Sequence, residues 1–228
     1  MATYLVTGAS RGIGLELVKQ LRARGDAVIG TVRSEKDAGA LRALGAEATL
    51  LDVGDEASIN AFAAGLRTPT ARPIDVLINN AGVFPREQDT LESLRSEALV
   101  DAFRINAVGP VFVTRALLPN LLAGQRRLVV HISTIMGSLA STTSSGAYPY
   151  RASKAALNML HRASSVELGT QGLTCVAVHP GWVRTDMGGA EAHLAPEESV
   201  SGILRLADSA GPAHHAGYFD YAGKALPW

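Results

Sequence analysis

The stretch Thr7-Gly8-Ala9-Ser10-Arg11-Gly12-Ile13-Gly14 decides the fold of this chain of 228 residues. It follows a β-rich run over Thr3–Thr7, and apolar residues then recur at helical spacing through Leu21, so the glycines lie where a strand turns into a helix. Glycines there permit a tight turn and a close approach of phosphate to the backbone, and the helix N-terminus attracts anions. The spacing is G-x-x-x-G-x-G rather than G-x-G-x-x-G, and an ordinary glycine-rich turn is the alternative. Its position at the start of a βαβ series favours a dinucleotide site.

The rest of the chain alternates short β-rich runs with longer helical patterns, which is typical of βαβ units. The β-rich runs are Thr3–Thr7, Ala27–Val32, Ala48–Leu51, Val76–Asn79, Leu128–Ser133, Thr174–His179 and Tyr218–Tyr221. The helical patterns are Ile13–Arg24, Lys36–Leu44, Glu56–Leu66, Leu91–Leu122, Tyr150–Leu168 and Glu197–Asp208. Because no linker or repeat divides the chain, the sequence predicts one α/β domain over residues 1–228. We expect a doubly wound parallel sheet of the Rossmann type, with helices on both faces.

The end of the second β-rich run distinguishes between the two nicotinamide dinucleotides. An NAD site has Asp or Glu there, which holds the ribose 2′-hydroxyl. This chain has Arg33 instead, which can pair with a 2′-phosphate, and Arg11 in the glycine turn can approach the same group. Two solvated arginines are the alternative, and Glu35 and Asp37 keep NAD(H) as the less favoured cofactor. The pattern therefore predicts NADP(H).

A tyrosine and a lysine, Tyr150 and Lys154, are four residues apart in a helical pattern and therefore share one face of the helix. A free tyrosine titrates near pH ~10, and a nearby positive charge favours the phenolate and lowers that pKa. A phenol adjusted in this way serves as a general acid or base near neutral pH. A packed and solvated pair is the alternative. The dinucleotide turn at the start of the chain favours the catalytic interpretation.

The composition excludes several other classes of protein. Lys plus Arg and Asp plus Glu are both 21, so no global charge indicates nucleic acid or a membrane surface as a partner. No apolar stretch is long enough to span a bilayer, and no secretory signal is visible. The single cysteine, Cys175, excludes an internal disulfide and fits a reducing compartment. We expect a cytoplasmic protein with a small-molecule ligand and no metal site.

Several motifs in order along the chain resemble the short-chain dehydrogenase/reductase family. They are Thr7–Gly14, Asn79-Asn80-Ala81-Gly82, Asn106, the Tyr150–Lys154 pair and Pro180-Gly181. The stretch from Pro180 to Gly189 and the ending Leu226-Pro227-Trp228 are most similar to the C-factor-like carbonyl reductases of that family. The resemblance implies a seven-stranded sheet and hydride transfer between a nicotinamide ring and a carbonyl or alcohol.

The resemblance also implies catalytic roles for individual residues. Tyr150 exchanges a proton with the substrate oxygen, and Lys154 lowers the pKa of Tyr150. Asn106 lies at a helix distortion and holds a water in a proton relay to Lys154. The family usually has two serines after the fifth strand, whereas this chain has Ser133 and then Thr134. Thr134 is therefore the expected catalytic hydroxyl, and Ser133 takes that role if the register shifts.

The cofactor-binding residues that the resemblance implies come from six parts of the chain. They are Gly8, Ser10, Arg11, Gly12, Ile13, Gly14, Arg33, Asp52, Val53, Asn79, Ala81, Gly82, Tyr150, Lys154, Pro180, Gly181, Val183 and Thr185. In this set Asp52 and Val53 meet the adenine, and Val183 and Thr185 hold the nicotinamide carboxamide. Residues 186–199 take the place of the family's substrate lid. Its helix pairing implies a homodimer or homotetramer.

Two functions fit these residues. The first is an NADPH-dependent carbonyl reductase that acts on a small aldehyde or ketone, with no nucleic acid or membrane as a partner. The second is a dinucleotide-binding sensor or signalling protein, which keeps the fold without needing turnover. The complete set of Tyr, Lys, Asn and hydroxyl side chains favours the reductase, because a sensor needs none of them.

Overall fold

Seven strands form one parallel sheet in the computed structural model, which describes residues 1–67, 70–86 and 90–228. The strands are β1 (Thr3–Val6), β2 (Ala27–Val32), β3 (Glu47–Leu50), β4 (Val76–Asn79), β5 (Leu128–Ile132), β6 (Thr174–His179) and β7 (Gly217–Asp220). Their order across the sheet is β3-β2-β1-β4-β5-β6-β7. Because the chain moves outward from β1 to β3 and then returns to the other side of β1, a crevice opens at the carboxyl ends of β1 and β4. The predicted doubly wound parallel sheet is confirmed.

Helices cover both faces of the sheet. They are α1 (Gly12–Ala23), α2 (Gly39–Ala43), α3 (Glu56–Gly65), α4 (Ser96–Phe103), α5 (Gly109–Ala116), α6 (Leu118–Ala123), α7 (Tyr148–Thr170) and α8 (Pro196–Ser209). A π-helical turn over Arg104–Val108 joins α4 to α5, and 3-10 turns lie at Glu35–Asp37, Ile135–Gly137 and Pro212–His214. In the part of the chain that the structure describes, no helix is long and apolar enough to cross a membrane.

The strands are apolar on both faces because each face is covered. In β1, Tyr4 and Val6 pack against the layer of α1, α2 and α8, whereas Leu5 packs against α3, α5, α6 and α7. Each of these three side chains is 0% exposed. A fully buried apolar side chain contributes about 1.5–3 kcal/mol relative to an exposed one, so the two layers hold the sheet rigid beneath the crevice.

The helical pattern predicted over Leu91–Leu122 is wrong in its bounds. Thr90 and Ser93 form a side-chain turn, in which the Ser93 N–H donates to Thr90 Oγ1 at 3.0 Å. Hydroxyls that take up backbone groups in this way compete with a helix. The helix therefore begins at Ser96, and the π-helical turn and a break after α5 divide the remainder.

Two smaller differences concern the loops around the crevice. The helix predicted over Lys36–Leu44 is a 3-10 turn followed by the short helix α2, and Gly39 between them is a poor helix former. The last four residues of the predicted lid, 196–199, belong to α8. Pro196 is favoured at a first helical position, and Glu197 and Glu198 complement the helix dipole there.

Candidate active site

A cleft of ≈ 450 Å³ lies at the carboxyl ends of the strands, where the sheet topology opens its crevice. Most of the residues predicted from the sequence line it. These are Gly8, Ser10, Arg11, Gly12, Ile13, Gly14, Arg33, Asp52, Val53, Ala81, Gly82, Ser133, Tyr150, Lys154, Pro180 and Thr185. The other predicted residues, Asn79, Asn106, Thr134, Gly181 and Val183, lie outside this lining.

The glycine turn after β1 is fixed against the end of β4. The Thr7 hydroxyl accepts hydrogen bonds from the N–H groups of Asn80 and Ala81, each at 3.0 Å. Gly8 has a φ of +64°, and a Cβ on it would lie 2.8 Å from the Ala81 Cα. Only glycine fits this close approach without strain, so the turn and the β4 end form one continuous wall of the cleft.

Asn79, a predicted cofactor contact, lies outside the lining of the cleft, and its neighbour Asn80 lines the cleft instead. Asn79 is the last residue of β4, and its Nδ2 donates to Thr114 Oγ1 at 3.0 Å under the sheet. Successive side chains of a strand point to opposite faces, so a shift of one residue changes the side that is reached. The Asn80 Nδ2 donates to the carbonyl oxygens of Thr7 and Gly8, each at 3.0 Å.

The end of β2 brings basic side chains to the cleft. Arg33 is exposed and lines the cleft together with Lys36 and Asp37. Glu35 turns away and pairs with Arg42 at 2.5 Å, outside the lining. Glu35 and Asp37 are the two acidic residues that left NAD(H) as an alternative cofactor. Glu35 is engaged outside the cleft, and Asp37 lies beside two cations.

Asp52 and Val53, the predicted adenine contacts after β3, both line the cleft. The Asp52 Oδ1 accepts from the Gly54 N–H at 2.8 Å, and the Asp52 N–H donates to Ser58 Oγ at 3.0 Å. This local turn fixes the carboxylate at the cleft.

Tyr150 and Lys154 lie on the first two turns of α7 and both face the cleft. Lys154 is 4% exposed, and its Nζ donates to the Ile132 carbonyl oxygen at 2.7 Å. Burial lowers the pKa of the Lys154 ammonium to about 8, because a charge is disfavoured in a dry environment. The Nζ atom lies 5.9 Å from the centroid of the Tyr150 ring.

The expected lowering of the Tyr150 pKa by Lys154 is wrong for the chain alone. Burial raises the pKa of the Tyr150 phenol to about 12, and a hydrogen bond with the Thr134 side chain acts in the opposite direction with a smaller effect. The lysine charge is directed to the Ile132 carbonyl, and Phe84 packs on the phenol with ring centroids 4.6 Å apart. Burial is therefore the larger effect on this pKa, and the phenol keeps its proton at neutral pH.

The two candidate hydroxyls point in different directions. Ser133 lines the cleft, but its hydroxyl donates to Asn158 Oδ1 at 2.6 Å in a buried hydrogen bond. The Thr134 side chain is the one that acts on the Tyr150 phenol, where it favours a lower pKa. Its Oγ1 also accepts from the Met136 N–H at 3.3 Å, which fixes its rotamer. The geometry thus favours Thr134 over Ser133 as the hydroxyl that acts with Tyr150.

Asn106 lies in the π-helical turn, so the helix distortion expected at this residue is present. Its Oδ1 accepts from the Val83 N–H, and its Nδ2 donates to the Val83 carbonyl oxygen, each at 2.8 Å. The Nδ2 also donates to Ser153 Oγ at 3.0 Å, next to Lys154 in the chain. The amide of Asn106 therefore joins the wall of the cleft to α7. Wide helical turns of this kind frequently lie at functional sites.

The segment after β6 contributes only two of its four predicted residues. Pro180 and Thr185 line the cleft, and a Cβ on Gly12 would lie 3.3 Å from the Thr185 Cγ2. Gly181 and Val183 lie outside the lining, and their contacts with a cofactor stay predictions. Val183 is 4% exposed, and its backbone pairs with Leu194.

The glycine turn and the predicted lid are joined by an ion pair. Arg11 Nη1 lies 3.5 Å from Asp186 Oδ2, and both side chains are largely exposed at the mouth of the cleft. The guanidinium of Arg86 donates to the Met187 carbonyl oxygen on the same segment. Residues 186 and 187 therefore contact both the glycine turn and the loop after β4, and Met187 lines the cleft.

Sequence reasoning missed Asn80, Lys36, Phe84 and Asn158. Asn158 had a detectable signal, because it lies on the face of α7 that carries Tyr150 and Lys154. Asn80 and Lys36 are each close in sequence to a predicted residue, and only the course of the backbone distinguishes them. Phe84 follows β4 in a loop, where one sequence gives no indication of direction.

Comparison with known proteins agrees with this geometry. The short chain dehydrogenase family matches residues 2–194. The protein named C-signal of Myxococcus xanthus is 47% identical over 170 residues, which cover 75% of this chain and 100% of that protein. Two solved structures, each 32% identical, cover 100% of this chain. The first is carbonyl reductase Sniffer of D. melanogaster, with a TM-score of 0.94 and 100% of its own chain covered. The second is an NADPH-bound carbonyl reductase from chicken fatty liver, with a TM-score of 0.93 and 99% of its own chain covered. The chain therefore belongs to the short-chain dehydrogenase/reductase family of oxidoreductases.

Proposed function

We propose that this chain is an NADPH-dependent carbonyl reductase that acts on a small aldehyde or ketone. One observation carries the proposal. Tyr150 and Lys154, one helical turn apart on α7, both line the cleft that holds the glycine turn, and the Thr134 side chain acts on the Tyr150 phenol to favour a lower pKa. The similar structures whose titles name carbonyl reductases support it.

The cleft fits a dinucleotide phosphate. Gly12, Ile13 and Gly14 bring the N-terminal turn of α1 to its wall. Within the described residues no side chain caps this turn, so its N–H groups and positive dipole are available to an anion. When bound, NADPH supplies the hydride of the proposed reaction.

The side chains of this chain would supply the proton and orient the carbonyl. Because its pKa is about 12, Tyr150 is protonated at neutral pH and can donate to the substrate oxygen. Thr134 accepts from the Met136 N–H and has its own hydrogen free to donate to the same oxygen. An alkoxide is a stronger base than a phenolate, so the proton moves from Tyr150 to the product. The Lys154 ammonium then stabilises the phenolate.

The preference for NADPH is supported by the charges beside β2. Arg33 and Lys36 present two cations where a 2′-phosphate would carry negative charge, and Glu35 is paired with Arg42. An exposed arginine can form two parallel hydrogen bonds to a phosphate. Similar structures with bound NADP or NADPH support the same preference.

Arg33→Ala is expected to raise the KM for NADPH by about tenfold, the order of one charge-assisted hydrogen bond. The KM for NADH should stay within about twofold, because NADH has no 2′-phosphate. Steady-state kinetics with both cofactors measure the ratio. Arg205→Ala, an exposed arginine on α8, is the control and should leave both KM values unchanged. An unchanged ratio in Arg33→Ala would contradict the role of Arg33.

The proposed function is tested by the oxidation of NADPH and NADH with a panel of aldehydes and ketones. We expect turnover with NADPH on at least one class of carbonyl, and slower turnover with NADH. Absence of turnover on every carbonyl, with tight NADPH binding by fluorescence, would contradict the reductase. It would favour the second function below.

One comparison favours a second candidate function, a dinucleotide-binding signalling protein. The relative of 47% identity carries the name C-signal. In that case a partner protein would respond to the NADPH-bound form of this chain, and turnover would not be needed. Binding of a partner that survives Tyr150→Phe would support the signalling function, because the reductase depends on that phenol.

A further inference from the structure

We infer that Tyr218 and Asn158 are positioning residues that hold the Thr134 hydroxyl against Tyr150. The inference rests on the proposed function, because Thr134 is the hydroxyl proposed to orient the substrate carbonyl. Among the described residues, these two lie outside the lining of the cleft. They are also separate from the motifs on which the family resemblance is based.

Tyr218 bonds directly to the Thr134 backbone. It lies on β7, is 2% exposed, and its hydroxyl donates to the Thr134 carbonyl oxygen at 2.5 Å. Burial raises the pKa of the Tyr218 phenol far above neutral pH. The hydroxyl therefore remains protonated, and remains a donor, at every pH used in an assay.

The ring of Tyr218 is held in turn by Trp228. The two rings stack with centroids 5.1 Å apart, and Trp228 also stacks on His161 at 5.9 Å. The Trp228 carbonyl oxygen accepts from the Ala140 N–H at 3.1 Å, so this segment packs on the loop that follows Thr134. Stacked aromatic rings have few alternative rotamers, which fixes the direction of the Tyr218 hydroxyl.

Asn158 approaches the same turn from α7. It shares a helix face with Tyr150 and Lys154. Its Oδ1 accepts from the Ser133 hydroxyl at 2.6 Å, and its Nδ2 donates to the Gly137 carbonyl oxygen at 3.1 Å. Asn158 thus holds the chain on both sides of Thr134.

Thr134 has little freedom left once these contacts are made. Its carbonyl oxygen accepts from Tyr218 and also from the Gly137 N–H at 2.9 Å, which uses both lone pairs. Its Oγ1 accepts from the Met136 N–H. The remaining hydroxyl hydrogen is left to donate to a carbonyl oxygen bound beside the Tyr150 phenol. A displacement of about 1 Å in such a group can lower the rate about 100-fold. Contacts that fix the Thr134 hydroxyl would therefore help to orient the substrate carbonyl.

Tyr218→Phe is the test, because it keeps the stacked ring and removes only the hydroxyl. We expect kcat for carbonyl reduction to fall roughly tenfold, the order for an orienting contact that is loosened rather than removed. The Kd for NADPH, measured by fluorescence, should not change. In a Thr134→Val background, Tyr218→Phe should cause no further loss, because it acts through the hydroxyl that is already absent.

Amide hydrogen exchange gives a readout independent of turnover. The Gly137 N–H donates to the carbonyl that Tyr218 holds, so its exchange should be faster in Tyr218→Phe. Asn158→Leu should reproduce both the loss of kcat and the faster exchange. Tyr4→Phe is the matched control, since Tyr4 is also a buried phenol, with its hydroxyl bonded to Arg126 at the opposite end of the sheet.

The inference is overturned if Tyr218→Phe has wild-type kcat, or if it lowers the rate of Thr134→Val by a further tenfold. It is also overturned if Gly137 exchange is unchanged. Failure of the proposed function gives a different result, namely a wild-type protein that reduces no carbonyl. In that case exchange at Gly137 still decides whether Tyr218 holds the Thr134 turn.

Discussion

Tyr150→Phe is expected to lower kcat for carbonyl reduction by about 1000-fold, within the range of about 10²–10⁴ for loss of a general acid. The phenyl ring keeps the packing against Phe84, so the fold and the cleft stay the same. Only the proton that the substrate oxygen would receive is lost. The Thr134 hydroxyl still orients a bound carbonyl, which leaves some residual activity. Steady-state kinetics with NADPH measure kcat, and fluorescence titration checks that NADPH still binds.

Tyr148→Phe is the control for this experiment. Tyr148 begins the same helix, lies outside the lining of the cleft and has an alanine four residues further on instead of a lysine. Its loss should leave kcat close to the wild-type value. If Tyr150→Phe kept more than about a tenth of wild-type kcat, Tyr150 would not be the proton donor. The proton would then have to come from another group at the cleft.

The parts of the site that could be predicted from the sequence depend on local patterns. A glycine turn between a β-rich run and a helix, and a Tyr–Lys pair at helical spacing, are set by the backbone near them. Their positions on the sheet follow from the alternation of strands and helices, because parallel strands place all their carboxyl ends at one edge. The structure brings Gly8, Arg33, Tyr150 and Lys154 to one cleft for this reason.

The failures concern properties that depend on tertiary contacts. The choice between Asn79 and Asn80 depends on where β4 ends, and one residue changes the face of the sheet. The direction of the Tyr150 pKa shift depends on burial of the phenol, and the Lys154 ammonium is bonded to the Ile132 carbonyl oxygen. Neither is encoded in the spacing of Tyr150 and Lys154. The hydroxyl of Ser133 is likewise removed from the site by Asn158, which lies on another element.

The same tertiary contacts explain why Thr134 suits its proposed role in place of a serine. Threonine is stiff at χ1, and its hydroxyl here is fixed by the Met136 N–H. Its carbonyl is fixed by Tyr218. A side chain that is held in this way loses little conformational entropy when it donates to a substrate oxygen. A fixed threonine hydroxyl therefore suits the orientation of one carbonyl.

Lys154→Met is expected to lower kcat by about 100-fold and to remove a pH dependence near pH 8. Burial lowers the pKa of the Lys154 ammonium to about 8, so its charge is present below that pH and is lost as the pH rises through it. In the proposed reaction this charge would stabilise the phenolate that forms as Tyr150 gives up its proton. Wild-type kcat should therefore fall above pH 8. Tyr150 itself, with a pKa of about 12, stays protonated throughout and does not contribute to this fall.

The comparison of pH profiles separates the charge of Lys154 from its packing. Methionine keeps the length and the apolar stem, so the variant should have a low kcat that is flat between about pH 6 and 9. Lys19→Met is the control, because Lys19 is exposed on α1 and pairs only with Glu16 at 3.3 Å among the described residues. Surface pairs of this kind contribute little, and its profile should match the wild type. If kcat of Lys154→Met still fell above pH 8, another group would be responsible for the titration. The Lys154 ammonium would then stabilise the fold through its bond to the Ile132 carbonyl oxygen and would have no role in the proton transfer.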